Sequence, residues 1–132
     1  MLDKSKLAVL IEKYRSHPQF LGIDVLDVNQ SGALDDTLLH IAAQTGATDD
    51  IRTLISCGAR VDAIGDLGNT PLHQAAMMGQ TDSVATLLEH GARADLRNEF
   101  DQTALQVAEL GGHCEAARLL RNYRAGGPDD KY

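Results

Sequence analysis

In residues 70–91 the apolar positions fall into two groups. Leu72, Ala75 and Ala76 follow one another at helical spacing, and Val84, Leu87 and Leu88 form the apolar side of a second short segment. Thr70 is placed to cap the first helix, and Pro71 fits its first position, where no N–H is needed. Gly79 and Gly91 end the two helices, and Thr81 or Asp82 is positioned to cap the second. A helix of about ten residues is marginal alone. Such segments gain stability only by stacking on similar ones.

Similar ones are present. Shifting the sequence by 33 residues brings Thr37 onto Thr70 and Thr103, Leu39 onto Leu72 and Leu105, and Ala42 onto Ala75 and Ala108. Gly46, Gly79 and Gly112 coincide, as do Leu54, Leu87 and Leu120. Gly58-Ala59 falls on Gly91-Ala92, and Asp62 on Asp95. The register holds without a gap, the signature of a repeat architecture. Backwards it is fainter: Leu21 precedes Leu54, Val28 precedes Val61, and Asn29 precedes Asp62 by one period. The expected organisation is one domain over 1–122, with a degenerate capping repeat at 1–31. Central repeats follow at 32–64 and 65–97, then a C-terminal capping repeat at 98–122 and a flexible tail at 123–132.

Small residues at Ala42, Ala75 and Ala108 let first helices approach closely, and longer side chains fill the second row. This size asymmetry predicts a curved stack with a concave side.

The segment Gly68-Asn69-Thr70-Pro71-Leu72-His73-Gln74-Ala75-Ala76, with Gly91-Ala92 downstream, closely resembles the ankyrin repeat. Asp36-Thr37-Leu38-Leu39-His40-Ile41-Ala42-Ala43 resembles it nearly as well. The resemblance implies an all-α fold, an ankyrin-repeat solenoid of stacked helix–turn–helix units with extended hairpin-like loops. Departures are local. Asp35 and Asp101 replace the turn glycine of Gly68, Leu38 and Ala104 replace the opening proline, and Gln106 replaces the histidine of His40 and His73. Arg121 stands where Leu88 stood, as suits a solvent-facing end.

The resemblance also implies binding of another protein through loop tips and the exposed ends of first helices. Carried over by position, the tips hold Ala33, Leu34 and Asp36, then Asp66, Leu67 and Asn69, then Glu99, Phe100 and Gln102. The helix ends hold Gln44 and Thr45, Met77 and Met78, and Leu110. Leu34, Leu67 and Phe100 share one tip position, where family members usually carry polar residues. They predict an apolar stripe with Ile64 near its middle, either a partner site or a self-packed ridge.

Charge narrows the partner. The chain of 132 residues carries −7 overall, and its first 31 residues are neutral, with four basic and four acidic residues. No basic patch is available for phosphates, which argues against nucleic acid. An acidic rim of Asp35, Asp36, Asp66, Glu99 and Asp101 fits a partner with a basic surface. No segment is long and apolar enough for a membrane, and the N-terminus lacks the apolar run of a signal peptide. Cys57 and Cys114 have neither disulfide-framework nor metal spacing, so a cytoplasmic, monomeric protein is expected.

Catalytic readings give way to structural ones. His40 and His73 lie a repeat apart, and neighbouring helices at ~8–10 Å cannot bring them to one metal. In the family this histidine bonds neighbouring backbone and threonine. Asp35-Asp36 and Asp49-Asp50 sit beside helix starts, where the helix dipole favours negative charge. Adjacent His113 and Cys114 point apart on a helix. No phosphate loop or nucleophile elbow occurs. The expectation is no enzyme, no metal and no cofactor, but a protein-binding adaptor or stoichiometric inhibitor. An immunity protein that neutralises a basic toxin or effector is the alternative.

Overall fold

The computed structural model describes residues 4–15, 17–20, 28–32 and 34–123. The Leu21 match, the Ala33 tip position and all but the first residue of the expected tail lie outside them. Helix α1 spans Lys4–Arg15. Three helix pairs follow: α2 (Leu38–Thr45) with α3 (Thr48–Ser56), α4 (Pro71–Met77) with α5 (Thr81–Glu89), and α6 (Ala104–Leu110) with α7 (Cys114–Asn122). Short 3-10 turns occupy Pro18–Phe20 and Asp66–Gly68. The first helices of successive pairs stack on one another as an inner row, and the second helices as an outer row. The fold is the all-helical repeat stack that the period predicts.

Each inner helix starts on an extended threonine. Thr37, Thr70 and Thr103 accept from the backbone N–H three residues on, at His40, His73 and Gln106. The same three side chains accept in return from the threonine N–H, closing a reciprocal capping box. Leu38 and Ala104 in place of the opening proline therefore leave the helix start intact. Ala42, Ala75 and Ala108 are fully buried between inner helices, while Leu54, Leu87 and Leu120 seal the outer row.

The outer helices begin differently from expectation. Ala47, Gln80 and His113 precede them, and none caps with a side-chain bond. Thr81 and Asp82 lie inside the first turn of α5. Gln80 and His113 reach back instead. Gln80 Nε2 donates to the Gln44 carbonyl at 3.1 Å, and His113 Nε2 to the Met77 carbonyl at 2.9 Å. Gly79 has φ +68°, and a Cβ there would run into the His113 ring, so the residue must be glycine.

Outer helix α5 also carries a defect. Ser83 is fully buried in α5, and its hydroxyl has no partner. One period later stands Ala116, equally buried. Ser83→Ala should raise unfolding free energy by about 1 kcal/mol, by removing an unsatisfied hydroxyl and improving helix propensity. Urea titration checks this; a loss of stability would mean that the hydroxyl does find a partner.

Ahead of each helix pair, the chain forms a hairpin tip closed in the same way. The N–H of Gly32, Gly65 and Asn98 donates to the carbonyl four residues on, at Asp36, Asn69 and Gln102. Asp35, Gly68 and Asp101 share a left-handed backbone in these tips, with φ of 70°, 76° and 60°. The two aspartates thus adopt the glycine conformation of their register. Leu67 joins them at φ 58°, which turns its carbonyl to accept from Glu99 N–H at 3.0 Å. A branched side chain is strained there by roughly 1 kcal/mol. Leu67→Gly should raise the midpoint of thermal unfolding; an unchanged or lower midpoint would show no strain to relieve.

Helix α1 lies against outer helix α3. Leu10 and Tyr14 are its buried face, with Leu7 and Ile11 partly buried beside them, and Val9 is exposed. Asp50 accepts from Lys13 Nζ and from the Tyr14 hydroxyl at 2.8 Å. Burial, then this carboxylate, pushes Tyr14 far above the ordinary phenol range. Asp50 therefore serves interhelix bonding as well as the helix dipole, whereas Asp49 pairs with Arg52 of its own helix at 3.3 Å. The repeat register resumes after α1. Asn29 Oδ1 accepts from Arg60 N–H at 2.7 Å, as Asp62 Oδ1 does from Arg93 N–H at 3.1 Å.

Candidate partner-binding surface

Two histidines tie the tips to the helix row. His40 Nδ1 accepts the Thr37 N–H at 3.0 Å, so the neutral ring carries its proton on Nε2. That N–H donates to the Asn69 carbonyl of the next tip at 2.8 Å. His73 repeats the arrangement, with Thr70 N–H at 3.2 Å and the Gln102 carbonyl at 2.9 Å. Both rings are buried, and burial is the main cause that pulls each below the ordinary histidine pKa. They are structural latches one repeat apart, in keeping with the bonding expected of them.

The polar residue just before each capping threonine is not the freely exposed contact expected of it in every repeat. Asp36 is 3% exposed and accepts from Gln19 Nε2 at 2.9 Å and from Asp66 N–H at 2.9 Å. It is thereby removed from the acidic rim. Asn69 is 2% exposed, and its Oδ1 accepts from Asn98 Nδ2 at 3.0 Å. Both are covered because the neighbouring tip folds over them. Gln102, with less chain beyond it, is half-buried. Asp66 is also half-buried, and Glu99 is exposed.

Asn98 is the residue that sequence reasoning missed. It occupies the register position of Gly32 and Gly65. Its Oδ1 accepts from the N–H groups of Phe100 and Gln102 at 2.9 and 3.0 Å. This side chain fixes the last tip. The local signal was an Asn two residues before a turn, the asparagine-turn pattern.

The apolar tip residues stay in solvent. Leu34, Leu67 and Phe100 are 54, 46 and 60% exposed, so they do not bury one another. Ile64, Met77, Met78 and Leu110 are also exposed. Leu67, Met77, Phe100 and Leu110 border a groove of about 320 Å³, with Asn69, Asn98 and Gln102 on its polar side. A second depression of about 470 Å³ adjoins it across Phe100, Gln102 and Leu110.

Inner helices capped by threonine and latched forward by histidine, in 33-residue register, decide the family. A family model described as ankyrin repeats, in three copies, matches residues 18–98 and, overlapping, 39–131. The chain belongs to the ankyrin-repeat family. No curated protein matches it. Ankyrin repeats are protein–protein interaction modules. In this ankyrin-repeat chain no described helix is long and apolar enough to cross a membrane. Among the described residues no three His, Cys, Asp or Glu side chains converge as metal ligands. Cys57 is buried and Cys114 exposed, neither in a disulfide, and Cys114 lies 3.8 Å from the Gly112 carbonyl while the preceding His113 turns towards Met77.

Proposed function

We propose that this ankyrin-repeat chain is a non-enzymatic, monomeric, cytoplasmic binder that holds a partner protein by its tips and inner-helix ends, as an adaptor or stoichiometric inhibitor. The observation that carries the reading is the stripe of Leu34, Ile64, Leu67, Met77, Met78 and Phe100, apolar and exposed where burial was available elsewhere in the stack. Exposed apolar patches rimmed by polar groups favour a partner over solvent. Asp66, Glu99 and Gln102 lie at its edge and supply the polar rim. Asp36 and Asn69 support the tips from beneath. The net charge of −7 steers a basic partner towards it.

The test is affinity capture from native lysate, followed by binding measurements on the captured protein. Leu67→Ser with Phe100→Ser should weaken binding at least ~tenfold, as expected for hot-spot truncation, and leave the melting temperature within a few degrees. A lower melting temperature with unchanged affinity would assign these residues to packing.

A further inference from the structure

The groove between the last two tips has a polar side whose orientation is fixed by backbone chemistry. Two backbone N–H groups, from Phe100 and Gln102, point at one atom of the Asn98 amide, which must therefore be its oxygen. The other atom, Nδ2, is a donor. It lies 3.0 Å from Asn69 and 3.2 Å from Gln102, so those two amides turn their oxygens towards it. Their NH2 groups are left over. Neither has a hydrogen-bond partner among the described residues. Neither is among the buried atoms left unsatisfied there, which are Gln19 Oε1 and Ser83 Oγ, so neither is sealed off: half-buried Gln102 offers its NH2 to the groove, while Asn69, at 2% exposure, backs it from beneath. Asn69 and Gln102 both line the groove, whose apolar walls are Leu67, Met77, Phe100 and Leu110.

We propose that this groove receives an extended peptide segment of the partner, with one apolar side chain between the walls and Lys or Arg beside it. The inference rests on the reading of the tips as a binding surface. Spare N–H donors at an apolar groove call for carbonyl oxygens. A helical ligand has spent most of its carbonyls internally, whereas an extended segment keeps them available. Charge selects the flanks. Asp66 and Glu99 are chain neighbours of lining residues and form no ion pair among the described residues, whereas Asp101 and Glu109 are matched by Arg97 and Arg121. Two uncompensated carboxylates at the rim favour cationic residues on either side of the apolar anchor.

The experiment uses the full chain and two sets of dye-labelled nine-residue peptides, each with a central Leu, Met or Phe. One set is flanked by Lys and Arg, the other by Asp and Glu, and binding is read by fluorescence polarisation. The basic set should bind, more weakly as salt rises, and the acidic set should not. Gln102→Leu keeps the backbone bonds of that residue and should weaken binding ~tenfold, the value of about one hydrogen bond. Leu110→Ser should do the same, and Val9→Ser, an exposed position on α1 outside the tips and the groove, should change nothing. Failure of both sets to bind overturns the inference, as does binding that ignores Gln102→Leu and Leu110→Ser. If the captured partner still loses affinity with Leu67→Ser and Phe100→Ser in those cases, the tip surface stands and only the peptide groove falls. If that double variant has no effect either, both fall.

Discussion

His40→Leu should cost about 2 kcal/mol of unfolding free energy, more than Gln106→Leu at the equivalent position of the last repeat. Removing the imidazole strands one buried backbone group, the Thr37 N–H, which loses its acceptor. The Asn69 carbonyl loses the inter-repeat donor of its two and keeps the Gly65 N–H. An orphaned buried group costs roughly 1–3 kcal/mol, and the lost hydrogen bond adds to it. Leucine fills similar volume, so a cavity is not the cause. Gln106 accepts only from its own Thr103 and is exposed, so Gln106→Leu should cost less than about 1 kcal/mol. Urea unfolding of both variants separates the cases. Equal losses would mean that the bond to the next repeat contributes nothing measurable.

Stability should also fall steeply as pH drops below about 6.5, the ordinary histidine value. In the folded chain, His40 and His73 both titrate below that value, mainly through burial. Above pH 6.5 both states hold these rings neutral, and stability does not depend on them. Below it the unfolded chain binds protons that the folded chain refuses. Stability is then lost until the pH reaches the lowered folded values. The slope is up to about 1.4 kcal/mol per pH unit for each ring, or about 2.7 for both. Nearby Asp36 favours the charged form of His40 and reduces the effect without reversing its sign. Unfolding free energies at pH 7.5, 6.5 and 5.5 test this, in a range above ordinary carboxylate titration. His73→Gln should remove about half the slope. A flat profile from 7.5 to 5.5 would defeat the assignment of neutral buried rings.

The repeat was legible because its determinants are local and periodic. Threonine at the helix start, alanine where inner helices meet and glycine after them each follow from one backbone position. Burial of Asp36 and Asn69 was not legible. A polar residue beside a turn looks solvent-exposed until the next tip is placed over it, and the Asp66 N–H that holds Asp36 lies 30 residues away. The same limit applies to Asp50, whose partners Lys13 and Tyr14 sit on a helix that breaks the repeat motif. Thr81 and Asp82 had the composition of a cap, yet Gln80 precedes the helix and spends its amide on an earlier carbonyl. Of the surface, the exposed apolar stripe could be read from register. The spare amide donors could not, because they depend on the orientation of Asn98.

The histidine latches point one way along the chain. Each repeat donates forward to a carbonyl in the next, and each receiving tip accepts from the one before. Gln106 closes the series without reaching outward. Nothing in this arrangement counts the units. A tandem duplication of residues 65–97 would present a fresh acceptor to the histidine behind it and a fresh donor to the tip ahead. The molecule can therefore lengthen in whole modules, while its two ends remain as they are.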